Sequence, residues 1–204
     1  PVIVEIPADI GEMEVEDSVV SSYSPPSRHR FAPELKDVKK AIELILSAKK
    51  PVIWSGMGVL MSGASKELTE FAELVEVPVY CTMPGKSGFD QRHPLSLGSG
   101  SGATSQEART WLQESDVLFA VGSSMSRTSY GQPIPDGKVI IHNTETVEDL
   151  NKDFSVDCGL VGDSKLTLQM LIGEVKAQLG SDGRKGSTNV ASEIKDVHDK
   201  WMSD

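Results

Sequence analysis

Apolar residues follow two different periods along this chain, and the two alternate. Continuous apolar runs occur at Val52–Trp54, Val77–Cys81, Val117–Val121, Lys138–His142 and Cys158–Val161. Between them, apolar residues recur every three or four positions. Leu35, Val38, Ala41, Ile42, Ile45 and Leu46 do so within Pro33–Ala48, and Leu68, Phe71, Ala72 and Val75 within Ser65–Val75. Leu168, Leu171, Ile172 and Val175 do so within Ser164–Leu179. The first pattern predicts buried strands and the second amphipathic helices. Further helices are expected over Thr104–Glu114 and Val190–Trp201. Pro33 suits a first helical turn, and Lys49 and Lys50 stand where a helix C-terminus favours positive charge. Strands buried on both faces and alternating with helices predict an α/β fold. It is a doubly wound parallel sheet of five to six strands with helices on both faces.

The ends of the chain break this rhythm. Val2–Ile6 alternates and is β-branched, so it reads as a strand that Pro7 ends. It has no evident partner, and it is expected to be the terminal strand of a preceding domain, covering residues 1–10. Residues 11–32 read as a linker, with Ser-Ser-Tyr-Ser-Pro-Pro-Ser at its centre. Residues 33–179 form the domain. Residues 180–204 turn polar and glycine-rich, a linker and short helix toward a missing C-terminal domain. A chain that begins with Pro1 rather than Met is expected to be a piece of a longer protein.

Composition narrows the function classes. With 38% hydrophobic and 25% charged residues the chain has an ordinary globular balance. Its net charge of −10 argues against nucleic acid or an anionic membrane as a partner. No apolar run approaches the roughly 20 residues that span a bilayer. Cys81 and Cys158 make no metal-type spacing and are expected to be buried free thiols in a reducing, cytoplasmic compartment. No histidine has a nucleophile or metal partner at recognisable spacing. No catalytic residue and no metal ligand is therefore assigned.

Candidate binding residues come from topology. In a doubly wound sheet, ligands lie outside the C-terminal ends of the strands. The loops there are rich in Gly, Ser and Thr, which leave backbone amides accessible and supply small hydroxyls. The candidates are Gly56, Met57 and Gly58; Thr82 and Met83; Gly98, Ser99 and Gly100; Gly122, Ser123, Ser124 and Arg127; Asn143 and Thr144; and Gly162 and Asp163. Each has a plainer alternative. Gly56-Met57-Gly58 is a phosphate cradle or a tight turn. Gly98–Gly102 closes over a pyrophosphate or is a flexible loop. Arg127 pairs with an anion or is solvated. Asp163 touches a ligand or caps the following helix, and His142 is structural. The strict dinucleotide pattern fails, because Met61 stands where its third glycine would be. No acidic residue follows Tyr80 or Cys81 to hold a ribose, which argues against an NAD site. Pro84–Gly88 lacks the spacing of a P-loop.

Taken in order, several segments resemble one family. Pro51-Val52-Ile53 with Gly56-Met57-Gly58, Pro78-Val79, Gly85–Phe89, His93-Pro94-Leu95, Ser115–Leu118 with Val121-Gly122, Val139–His142 and Val161-Gly162-Asp163 are similar to the central domain of thiamine diphosphate-dependent enzymes of the acetolactate synthase type. The resemblance spans about residues 33–179. Pro1–Asp9 is similar to the end of that family's pyrimidine-binding domain. The resemblance implies a Rossmann-like domain that serves as scaffold and dimer contact and, in some members, binds FAD or an ADP-containing nucleotide. It places thiamine diphosphate and Mg²⁺ in the missing N- and C-terminal domains, so this chain alone is expected to be inactive and the full-length enzyme to be a dimer or tetramer. Two departures bear on FAD. Ser124 stands where flavin-binding members carry Arg, and Thr144 and Thr146 stand where they carry two aspartates. The rival expectation is a free-standing nucleotide-binding or regulatory module.

Overall fold

The computed structural model describes residues 3–27 and 29–203. Its centre is a six-stranded, all-parallel sheet of strand order 3-2-1-4-5-6. The strands are β1 (Pro51–Ser55), β2 (Val79–Thr82), β3 (Ser96–Gly100), β4 (Val117–Val121), β5 (Val139–Thr144) and β6 (Cys158–Val161). The helices are α1 (Ala8–Gly11), α2 (Asp17–Ser22), α3 (Leu35–Ser47), α4 (Met57–Ser62), α5 (Ser65–Val75), α6 (Gln106–Glu114), α7 (Ser164–Leu179) and α8 (Val190–Ser203), with a 3₁₀ turn at Val147–Asp149. The expected α/β architecture with helices on both faces is what forms.

Side chains of successive strand residues point to opposite faces, so each strand feeds two cores. Ile53, Val79, Cys81, Phe119, Val121, Ile141 and Leu160 face one layer, where α3, α4, α5 and α7 close over them. Phe71 of α5 meets Phe119 edge-on at 5.8 Å. Val52, Trp54, Tyr80, Leu118, Ala120 and Ile140 face the other layer, built by α6 and α8. Each fully buried Leu, Ile or Phe contributes about 1.5–3 kcal/mol, which is why the continuous apolar runs are the most reliable strands here. Cys81 and Cys158 are both buried and free.

Three elements differ from the sequence-based expectation. The Gly98–Gly102 segment is no free loop, because Ser96–Gly100 pairs with β2 as the edge strand β3. Its Ser-Leu-Gly-Ser-Gly carries no apolar run; backbone pairing with β2 and the single buried side chain of Leu97 hold it. The stretch after β1 holds an extra short helix, α4, packed against α7 and α5. Ile3–Ile6 form no strand and are exposed, while Val2 lies outside the described residues. A strand exists only through a partner, and the described residues supply none for this segment, whose expected partner belongs to a preceding domain. The short helix α1 bridges the first segment and the linker, and α2 lies within the linker; neither buries a residue.

Residues 180–189, expected as a loose linker, are strapped to the base of the domain. Glu76, the left-handed C-cap of α5, accepts the amide hydrogens of Gly186 and Thr188 at 2.6 and 2.7 Å. Arg184 donates its amide to the Leu74 carbonyl at 2.7 Å and its guanidinium to the Leu46 carbonyl. These carbonyls belong to the last turns of α5 and α3, which lack partners within their own helices. Gly183 sits at φ +56, and a Cβ there would come within 2.3 Å of the Leu74 carbonyl oxygen. The strap leads from α7 on one face to α8 on the other. There Ile194 is buried, and His198 meets Glu107 of α6 at 3.3 Å.

Glu76→Ala should therefore lower stability by about 1–2 kcal/mol, since two amides lose a charged acceptor. Trypsin should then cut faster after Arg184 and Lys185. Urea titration and timed digestion of the two proteins measure both effects; unchanged digestion would mean that the strap does not hold.

Candidate functional site

The strand order reverses between β1 and β4, and at this point the backbones of their C-terminal loops press together. The Gly56 amide donates to the Val121 carbonyl at 2.9 Å, and the Gly58 amide to the Gly122 carbonyl at 2.8 Å. A Cβ on Gly56 would lie 2.3 Å from the Gly122 oxygen, and one on Gly58 2.7 Å from the Gly122 Cα. Gly122 itself sits at φ +59, and a Cβ there would lie 2.6 Å from the Val59 nitrogen. Gly85, in the loop after β2, packs as closely on the Ser55 carbonyl, at 2.6 Å. Glycine at these positions is required by close approach of backbone to backbone.

A cavity of about 920 Å³ opens beside this contact, on the α6 and α8 side of the sheet. It gathers ten of the sixteen candidate residues. Gly56, Met57 and Gly58 line it from the β1 loop, and Thr82 and Met83 from the β2 loop. Gly100 comes from the end of β3, and Gly122, Ser123, Ser124 and Arg127 from the loop after β4. Residues that the candidate set missed complete the wall, among them Trp54, Met125, Ile134 and Phe154. Trp54 faces the cavity because it alternates with Ile53 at the end of β1, a direction that the strand period alone could have shown. Phe154 could not have been found this way, since it reaches the site from an irregular loop between β5 and β6.

The remaining six candidates stand elsewhere. Gly98 and Ser99 lie in the edge strand, where the Ser99 hydroxyl accepts from Gln91 at 2.7 Å. Asn143 is wholly buried and ties three elements together. Its Nδ2 group donates to the Leu160 and Gly162 carbonyls at 2.9 Å and to Thr167 Oγ1 at 3.1 Å, and its Oδ1 accepts from the Gly122 amide. The Thr144 hydroxyl donates to Asp149 at 3.1 Å. Gly162 passes under the chain at Phe31 and Pro33. Asp163 caps α7, its Oδ1 accepting from the Lys165 and Leu166 amides at 3.0 Å, with Arg30 at 3.6 Å from its other oxygen. For Asp163 the capping alternative is the one the structure takes.

His142 is buried on β5, and its Nε2 donates to the Ser123 carbonyl at 2.6 Å, pinning the loop that forms one wall of the cavity. Nδ1 has no partner. Burial depresses the imidazole pKa below its ordinary value of 6.5, against the smaller upward pull of the Ser123 carbonyl and Asp149. On the same wall Arg127 is exposed. Its guanidinium lies 4.7 Å over the Phe154 ring, and its amide donates to Asp153 at 2.8 Å.

A family described as the central domain of thiamine pyrophosphate enzymes matches residues 38–171. The chain belongs to that family. It is 32% identical to a probable acetolactate synthase large subunit from Methanococcus aeolicus, covering 97% of this chain and 34% of that protein. It is 29% identical to glyoxylate carboligase from Escherichia coli O157:H7, covering 90% and 31%. Its fold superposes on benzoylformate decarboxylase from Polynucleobacter necessarius with a TM-score of 0.64 and 25% identity, covering 82% and 30%. The chain thus spans about a third of the length of the relatives it matches.

The family is named for thiamine pyrophosphate. Among the described residues no three His, Cys, Asp or Glu side chains come together as a metal cluster. The amides of Gly56, Gly58 and Gly122 are engaged by the sheet, and the Thr144 hydroxyl by Asp149.

Two outcomes follow from this geometry. Gly58→Ala should destabilise the domain by about 1–3 kcal/mol, because backbone must move to admit the methyl; a loss below 0.5 kcal/mol in urea unfolding, roughly the scatter of a surface change, would contradict the contact. For His142 the unfolded chain takes up a proton near pH 6.5 while the folded one resists. Stability is therefore full above that pH and falls as the pH drops toward the depressed folded value. His142→Phe should be less stable at pH 7, by about 1–3 kcal/mol for the lost hydrogen bond. It should also show a flatter stability profile than the native protein between pH 7 and 5.

Proposed function

We propose that the full-length protein is a thiamine diphosphate-dependent 2-oxo acid decarboxylase or carboligase of the acetolactate synthase type, and that this domain is its scaffold. The match of two thirds of the chain to the family's central domain carries the reading, with 32% identity to a probable acetolactate synthase large subunit in support. Thiamine diphosphate supplies the carbanion chemistry when bound, together with Mg²⁺, in parts of the protein outside this chain. This domain's share is to hold the flanking domains in register. The strap at 180–189 serves that role by fixing where the chain leaves the domain. The full-length enzyme is proposed to act in the cytoplasm as a dimer or tetramer. A flavin or ADP in the cavity is the weaker reading, because the amides of Gly56, Gly58 and Gly122 are engaged by the sheet.

The test uses the full-length protein with thiamine diphosphate, Mg²⁺ and pyruvate. Release of CO₂ that chelation abolishes is the expected result. The purified enzyme should be colourless near about 450 nm, where a bound flavin would absorb. Inactivity on pyruvate, glyoxylate and aromatic 2-oxo acids alike would overturn the enzymatic reading. A stoichiometric flavin would overturn the scaffold reading.

A further inference from the structure

We propose that the cavity at the β1/β4 switch point binds a planar aromatic monocarboxylate, in place of a dinucleotide. The charge of the wall selects one anionic group. Among the described residues, Arg127 is the single basic residue on the lining and Asp136 the single acidic one. A guanidinium forks onto one planar carboxylate through two parallel hydrogen bonds. Against a diphosphate it leaves charge unmatched, and the glycine amides that would make up the deficit are bonded to β4 and β5. Arg127 is also placed for the task, since Phe154 and Asp153 hold it at the mouth.

The apolar wall selects a flat ring. Met57, Met83 and Met125 present polarizable thioethers, which adapt to aromatic faces, and Trp54 and Phe154 present rings. Met57 and Met83 are each about half exposed, at 50% and 54%.

A separate observation points to a ring with an acceptor atom. Trp54 is only 7% exposed, yet its indole Nε1 has no hydrogen-bond partner. An unpartnered buried donor is uncommon in folded proteins, and one on a lining side chain marks a wall that lacks its acceptor. A ring nitrogen or carbonyl oxygen at the inner end of the ligand supplies it, while the carboxylate stays at Arg127.

The inference is independent of the thiamine reading, because binding is measured without turnover. The probe is quinoline-6-carboxylate, whose ring nitrogen lies at the far end from its carboxylate, titrated calorimetrically into the protein beside its uncharged carboxamide, ADP and FAD. A dissociation constant of about 1 mM is expected for a ligand of this size. The carboxamide should bind about tenfold more weakly, the usual worth of a charge-assisted pair. Arg127→Met should reduce the acid to the level of the amide and leave the amide unchanged. Its exposed position keeps the fold intact, which circular dichroism checks. Trp54→Phe should weaken acid and amide equally, by removing the indole donor. The absence of saturable binding by the acid, equal affinity for acid and amide, or tighter binding of ADP or FAD would each overturn the proposal.

Discussion

The contact on which this domain depends is the meeting of the β1 and β4 loops through bare backbone. Two hydrogen bonds run from Gly56 and Gly58 to the carbonyls of Val121 and Gly122, with no side chain between them. Any Cβ at Gly56, Gly58 or Gly122 would push the loops apart. The contact does three things at once. It closes the sheet where its order reverses, it starts α4 against the same core as α5 and α7, and it sets the opening of the cavity beside it. Asn143 extends the arrangement to β6 and α7, because its amide donates to the Leu160 carbonyl of β6 and the Thr167 hydroxyl of α7, and its oxygen holds Gly122. Buried amides that are fully paired rigidify their surroundings, whereas half-paired ones are costly.

The same contact explains why a nucleotide-type fold need not bind a nucleotide. In such folds the glycine turn after the first strand brings free amides to a pyrophosphate at a helix N-terminus. Here those amides turn inward to the neighbouring strand. The glycines remain necessary, but for packing. The resemblance to a dinucleotide fingerprint is thus one of geometry, since the turn is needed to build the sheet at all.

Polar closure at the opposite end of the sheet is the counterpart of this packing. Asp116 accepts the amides of Lys49 and Lys50 at 2.7 and 2.9 Å, fixing the entry to β1. Lys50 lies over the Trp111 ring at 4.3 Å and pairs with Glu114. Glu76 and Arg184 draw the C-terminal strap across the ends of α5 and α3. A charged group that pairs with exposed backbone ends holds more firmly than a surface ion pair, because it satisfies donors and acceptors that have no other partner. The strap thus makes residues that look like a linker part of the body of the domain.

The order of strands and helices was legible in the sequence because it rests on local patterns. Continuous apolar runs and three-and-four spacings place β4, β6, α5 and α7 at the residues where they form. The cluster of strand-end loops was legible too, since the parallel topology brings them to one edge. What tertiary structure alone decided were features with no local signal. The strand at Ser96–Gly100 exists through pairing with β2, and its composition reads as a loop. The fate of the Gly56 and Gly58 amides depends on how closely β4 approaches, and no pattern within their own segment records that distance. Asn143 was a candidate ligand contact at a strand end, and Asp163 a ligand contact or a helix cap; their side chains bond to the fold's own groups. Sequence period determines which residues face inward; whether a polar group there meets a ligand or the protein itself is settled by three-dimensional proximity.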